Sequence, residues 1–137
     1  MPTATLTLTS ADIAGDPVNV SKTSTCYKAG TTIMLDQTGG LNSVILTSTS
    51  ANTILDAVAL GTDKAAKVYI KNNSIDTTEF ITVTINATVV GKLYAGQWLF
   101  MPWSQNDTAA DIKITASVAG GSMPIEYMLM HEGWTFA

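Results

Sequence analysis

Arginine is missing from this 137-residue chain, and its positive charge rests on seven lysines. Charged residues make up 13% and the formal net charge is −4, about half the ordinary charged share of ~25%. A surface that grips nucleic acid needs clustered lysine and arginine to neutralise phosphates. Lys22, Lys28, Lys64, Lys67, Lys71, Lys92 and Lys113 are scattered along the sequence, so no nucleic-acid partner is expected. Long apolar runs are missing too. Nothing approaches the roughly 18 apolar residues of a membrane-spanning helix, and no membrane partner is expected. Cys26 is a lone cysteine with no second thiol to pair with. A buried free thiol made in a reducing cytoplasm is the expectation. The opening MPTATLTLTS has neither the basic start nor the apolar block of a cleavable export signal.

Histidine is nearly absent as well. His131 stands alone, so any Ser–His–Asp or Cys–His arrangement has to use it. It falls in an alternating segment, on the face of Ile125, Tyr127 and Leu129, where a packed sheet histidine is the simpler reading. One histidine and one cysteine are too few for a zinc tetrahedron. The acids Asp107 with Asp111, and Glu126 with Glu132, could pair for glycoside hydrolysis, but solvated surface acids explain all four. Gly39-Gly40 and Gly120-Gly121 read as hairpin glycines rather than a phosphate loop. The glycosylation triplets at Asn19, Asn72, Asn86 and Asn106 arise by chance in a chain this rich in Thr and Ser. Neither an enzyme nor a cofactor is expected.

What is present is strand pattern. Thr3 to Thr9, Ile81 to Asn86 and Ile112 to Ser117 alternate apolar with polar residues, the period of a half-buried strand. Further strands are predicted over Val18–Ser21, Thr31–Asp36, Val44–Thr49, Lys67–Lys71, Thr88–Leu93, Gln97–Met101 and Ile125–His131. Gly15-Asp16-Pro17, Thr38-Gly39-Gly40, Asn72-Asn73-Ser74, Gln105-Asn106-Asp107 and Gly120-Gly121-Ser122 read as loops between them. Thr53–Leu60, TILDAVAL, fits a short helix or turn as well as a strand. The sum is an all-β chain: an antiparallel β-sandwich or jelly roll of about eight to ten short strands. It forms a single domain over residues 1–137, long enough to bury about two thirds of its surface. Residues 1–30 are a candidate extended arm or exchanged strand.

Two segments break the alternation. In LYAGQWLFMPWS, residues 93–104, Leu99 and Met101 take one face of a strand and Trp98 and Phe100 the other. In MPIEYMLMHEGWTFA, Ile125, Tyr127 and Leu129 oppose Met128 and Met130, with Trp134 and Phe136 following. A strand covered on one side alternates apolar with polar. Strands apolar on both sides need two covers, and only one is the domain's own core. The expected anchors of core or contact are Tyr94, Trp98, Phe100, Met101, Trp103, Met128, Met130, Trp134 and Phe136. Aromatic residues and methionine are enriched at interface centres.

The Ala95-Gly96 turn into QWLFMP resembles the strand corner of cupin-type jelly rolls. Cupin enzymes place metal-binding histidines and a glutamate just after it; here those positions hold Trp98, Leu99, Phe100 and Met101. A wider resemblance covers residues 67–132. KVYIKNNS, ITVTI, LYAGQWLFMPWS, DIKITAS and MPIEYMLMHE resemble small virion structural proteins of tailed bacteriophages, notably of cyanobacterial viruses. That resemblance implies a β-sandwich, no cofactor and many copies on a symmetric particle. The expectation is a capsid decoration, or cement, protein on the capsid exterior. A dimer or trimer partnered by the major capsid protein is expected on that reading. A neck, baseplate or tail-fibre part is the alternative within a virion. A carbohydrate-binding jelly roll, stacking sugars on Trp98, Trp103 or Tyr94, is the alternative from another class.

Overall fold

The computed structural model describes residues 2–11, 18–28, 30–56, 65–104, 110–119 and 122–132. Ten strands are found there: β1 (Thr3–Ser10), β2 (Val18–Thr25), β3 (Gln37–Leu46), β4 (Asn52–Leu55), β5 (Ala65–Asn72), β6 (Phe80–Ile85), β7 (Thr88–Tyr94), β8 (Trp98–Ser104), β9 (Ile112–Ala116) and β10 (Met123–His131). All pairings are antiparallel. One four-stranded sheet runs β3-β10-β5-β8 and the other β4-β9-β6-β7, while β1 and β2 form a separate ribbon.

The order has a simple origin. β3 pairs with β10, β4 with β9, β5 with β8, and β6 with β7. These pairs are the rungs of one long hairpin whose tip is the Asn86-Ala87 turn between β6 and β7. Successive rungs fall alternately in the first and second sheet, so the hairpin is rolled across itself. This is a jelly roll. Asn86 takes a left-handed φ of 56° at the tip, a conformation that asparagine tolerates. Its N–H donates to the Asp111 carbonyl at 2.9 Å and ties the tip to the start of β9.

The core lies between the two sheets. Val68, Ile70 and Ile125 from the first meet Ile81, Val83, Ile112 and Ile114 from the second, all fully buried. Each such side chain contributes roughly 1.5–3 kcal/mol by leaving water. Asn72 is fully buried among them although it is polar. Its Nδ2 donates to the Leu93 carbonyl at 2.9 Å, joining the end of β5 to β7 of the opposite sheet. Its Oδ1 accepts the Ser74 N–H at 2.9 Å.

Several sequence expectations need correcting. Thr31–Asp36 is not a strand; only Met34 forms an isolated bridge, to Tyr27. Thr31 instead turns the chain back, with its hydroxyl accepting the Ile33 N–H at 3.0 Å. Thr38-Gly39-Gly40 is not a loop but lies inside β3. There the register slips, so that Thr38 faces Met130 and Leu41 faces Met128. Gly39 and Gly40 together oppose Leu129, a β-bulge in which Gly40 has a φ of 74°. Asn72 ends β5 rather than opening a loop. Asn52–Leu55 of the ambiguous segment is strand; residues 57–64 lie outside the described residues, as do residues 12–17, 105–109 and 120–121.

Candidate docking face

Both faces of β8 are apolar, and the register decides which one is inside. Leu99 and Met101 pack against the core and Trp103 is buried in it. Trp98 and Phe100 point outward, 51% and 37% exposed. β10 sorts the same way. Met123, Ile125 and Leu129 are buried, leaving Met128 and Met130 on the outer face beside Glu126. His131 falls on the inner side, 7% exposed, with Nδ1 against the Glu132 carbonyl.

Cross-strand pairing then lines up residues far apart in sequence. Leu41, Met128, Tyr69 and Phe100 form one continuous row across all four strands. Leu41 is 63% exposed. The next row is Ser43, Glu126, Lys71 and Trp98. On the other side lie Thr38, Met130, Lys67 and Pro102. Pro102 is tolerated because β8 is an edge strand.

The outer face of the second sheet is different. Its rows are Thr53, Lys113, Thr84 and Val89, then Thr115, Thr82 and Lys92. Threonine and lysine cover the middle of this face, as expected of a sheet that faces water, while Val89 and Val90 on its edge strand β7 are exposed. One aromatic pair closes its end: Phe80 and Tyr94 pack with ring planes tilted by 46° and centroids 5.1 Å apart. Lys92 Nζ sits 4.6 Å above the Phe80 ring.

The β1–β2 ribbon lies over the first sheet's outer face without sealing it. Between them is a cleft of about 720 Å³. Tyr69, Trp98, Phe100 and Met128 line the sheet side, and Leu6 and Lys22 the ribbon side. Inside this apolar field sits one strong polar contact. The Tyr69 hydroxyl donates to Glu126 Oε1 at 2.7 Å. Burial, then the hydrogen bond and the charge of Glu126, push the Tyr69 hydroxyl up to about 12. The same hydrogen bond is the main reason that Glu126 is held below the usual carboxylate range. A hydrogen bond from Asn73 adds to this, burial opposes it, and the charge of Lys71 adds a smaller part.

The nine expected anchors therefore separate. Trp98, Phe100, Met128 and Met130 share the outer face of the first sheet. Met101 and Trp103 belong to the interior, where Trp103 Nε1 donates to the Ala110 carbonyl at 2.7 Å. Tyr94 is 40% exposed but sits on the opposite sheet, away from that face. Trp134 and Phe136 lie outside the described residues. The idea of sugar stacking on Trp103 is corrected: at 5% exposure the indole has no free face. Sequence reasoning missed Leu41, Tyr69 and Leu6. Tyr69 in KVYIK alternates with inward Val68 and Ile70, but only register places it between Met128 and Phe100.

No protein-family model matches the chain, and no curated protein matches it either.

Proposed function

We propose that this chain is a virion structural protein of the tailed-bacteriophage kind. In this reading it is a capsid decoration, or cement, protein that docks through the outer face of its β3-β10-β5-β8 sheet. The observation that carries the reading is the row Leu41–Met128–Tyr69–Phe100, flanked by half-exposed Trp98. A contiguous apolar surface of this sort marks an interaction site, and the middle strands of the second sheet carry Thr and Lys on their outer face instead. Jelly rolls serve viral capsids, lectins and cupins alike, so the fold selects no function by itself. The resemblance of residues 67–132 to phage virion proteins favours the first.

The work of such a protein is energetic. Each copy bridges neighbouring capsid subunits on the outside of the head and removes apolar area from water. The gain is roughly 25 cal/mol per Å² before the costs of association. A stained gel of purified virions tests this. Hundreds of copies per particle are expected. A few dozen would move the protein to the neck, baseplate or fibre, and absence would remove it from the virion. Virions carrying Phe100→Lys should lose most of the protein while retaining their heads.

One observation favours a second reading, carbohydrate binding. Trp98 stands half exposed at the cleft beside Lys71, an arrangement that can stack a sugar ring and hydrogen-bond its hydroxyls. Glycan-array binding abolished by Trp98→Ala supports this reading; a silent array removes it.

A further inference from the structure

We propose that the cleft between the β1–β2 ribbon and the first sheet is a binding site for a small anionic amphiphile, an alkyl chain that ends in a carboxylate. The site goes beyond the docking reading above and does not depend on it.

Each wall of the cleft repeats one arrangement. On the ribbon, Leu6 stands opposite Lys22 in the cross-strand register. On the sheet, Trp98 stands opposite Lys71. All four line the cleft, so an apolar side chain and a lysine meet the same space from both sides. Phe100, Met128 and Met130 extend the apolar lining, and methionine adapts its shape to what it covers. The volume of about 720 Å³ falls within the ~300–1,000 Å³ of small-molecule sites. Apolar walls with a few convergent polar groups are the usual make-up of such a site.

Charge decides the head of the ligand. The chain carries a net charge of −4, yet among the described residues no carboxylate lines the cleft and both of its charged lining residues are lysines. Neither Lys22 nor Lys71 forms a salt bridge among the described residues. Glu126 stands beside the cleft rather than in its lining, and its carboxylate already accepts the Tyr69 hydroxyl at 2.7 Å. Glu126 also attracts Lys71, which leaves Lys22 the more available cation. An alkyl chain in the cleft removes Leu6, Trp98 and Phe100 from water, all of them partly exposed without it. A carboxylate at its end meets the lysines in charge-assisted hydrogen bonds. The docking row reaches further than this site: Leu41 at its end lies outside the cleft lining.

The test uses the purified protein without capsid and three probes that share one tail: decanoate, decanol and decyltrimethylammonium, each below its micelle concentration. Binding is read by titration calorimetry at neutral pH. Decanoate should bind about tenfold more tightly than decanol, because hydrogen bonds to charged groups are the stronger kind, and decyltrimethylammonium should bind most weakly. Lys22→Gln and Lys71→Gln should each reduce that preference and leave decanol binding unchanged. Equal binding of the three probes overturns the proposal, and so does the absence of binding. A decanoate preference that survives the double variant also overturns it, since the anion then sits elsewhere. If a variant fails to fold by circular dichroism, wild type answers alone: decanoate, and not decyltrimethylammonium, should shield from iodide the emission that Trp98→Phe removes. Particle occupancy is read separately, so docking can fail while decanoate binds, and hold while it does not.

Discussion

Tyr69 and Glu126 are diagonal neighbours on β5 and β10, and the tyrosine hydroxyl donates to the carboxylate at 2.7 Å in the midst of Met128, Phe100 and Trp98. The contact orients an acid on a face that also carries Lys71 and Lys67 beside its apolar row, and it leaves the ring available as surface.

This pair gives the protein a pH signature. Glu126 has a depressed folded-state value, so its contribution is present above the unfolded value of about 4.3. It is lost as pH falls through the folded value. The difference in melting temperature between wild type and Glu126→Gln should therefore shrink in acid. Tyr69 is shifted the other way; its contribution is present below the unfolded value of about 10 and fades as pH rises toward 12. Tyrosinate absorbance should show one of the four tyrosines ionising late, and Tyr69→Phe should delete that late step. A late step that persists in Tyr69→Phe contradicts the assignment.

Trp98 and Trp103 should separate in a quenching experiment. Trp98→Phe should remove emission that iodide quenches, and Trp103→Phe should remove protected, blue-shifted emission. Trp103→Phe also strands the Ala110 carbonyl and should cost about 1–2 kcal/mol in denaturant unfolding. Trp103→Ala should cost about 3–5 kcal/mol.

Asn72 bridges the sheets, so its removal should be felt globally. Asn72→Ala leaves the Leu93 carbonyl and the Ser74 N–H without their partner. A loss of about 2–3 kcal/mol is expected, measured by urea unfolding. A change of only a few tenths would mean that water replaces the amide at no cost.

Glycine is required at the bulge for its backbone, not for space. A Cβ at Gly40 would meet nothing within 4 Å, yet its φ of 74° is left-handed. Gly40→Ala should cost about 1–2 kcal/mol through strain alone. Gly39→Ala, with ordinary φ and only Asn42 Nδ2 at 3.8 Å, should cost less. Equal costs would contradict the assignment of strain to Gly40.

Outer-face substitutions should leave the fold intact. Phe100→Lys and Met128→Lys are expected to change unfolding free energy by about 0.5 kcal/mol or less, whereas Ile70→Ala should cost about 2–5 kcal/mol. The face then acts through binding rather than through folding, and occupancy on particles is where its loss should register.

Much of this was readable in the chain. Alternation in Thr3–Thr9, Ile81–Asn86 and Ile112–Ser117 fixed the strand class because side chains on a pleated backbone change sides at every residue. The same rule split Leu99 and Met101 from Trp98 and Phe100. Thr31–Asp36 misled because a β-rich composition cannot reveal a side-chain turn, and Gly39-Gly40 misled because a bulge and a loop use the same residue.

By itself the sequence determined that this is an all-β chain with more apolar strand face than one core can use. That follows from local chemistry and the two-residue period. Only the tertiary structure decided which face is spare. Strand register is set by partners thirty to ninety residues away, and it alone put Leu41, Met128, Tyr69 and Phe100 in one row. It also sent Trp103 into the core and placed Trp98 under the ribbon. No local pattern encodes such a row, because each strand contributes a single residue to it.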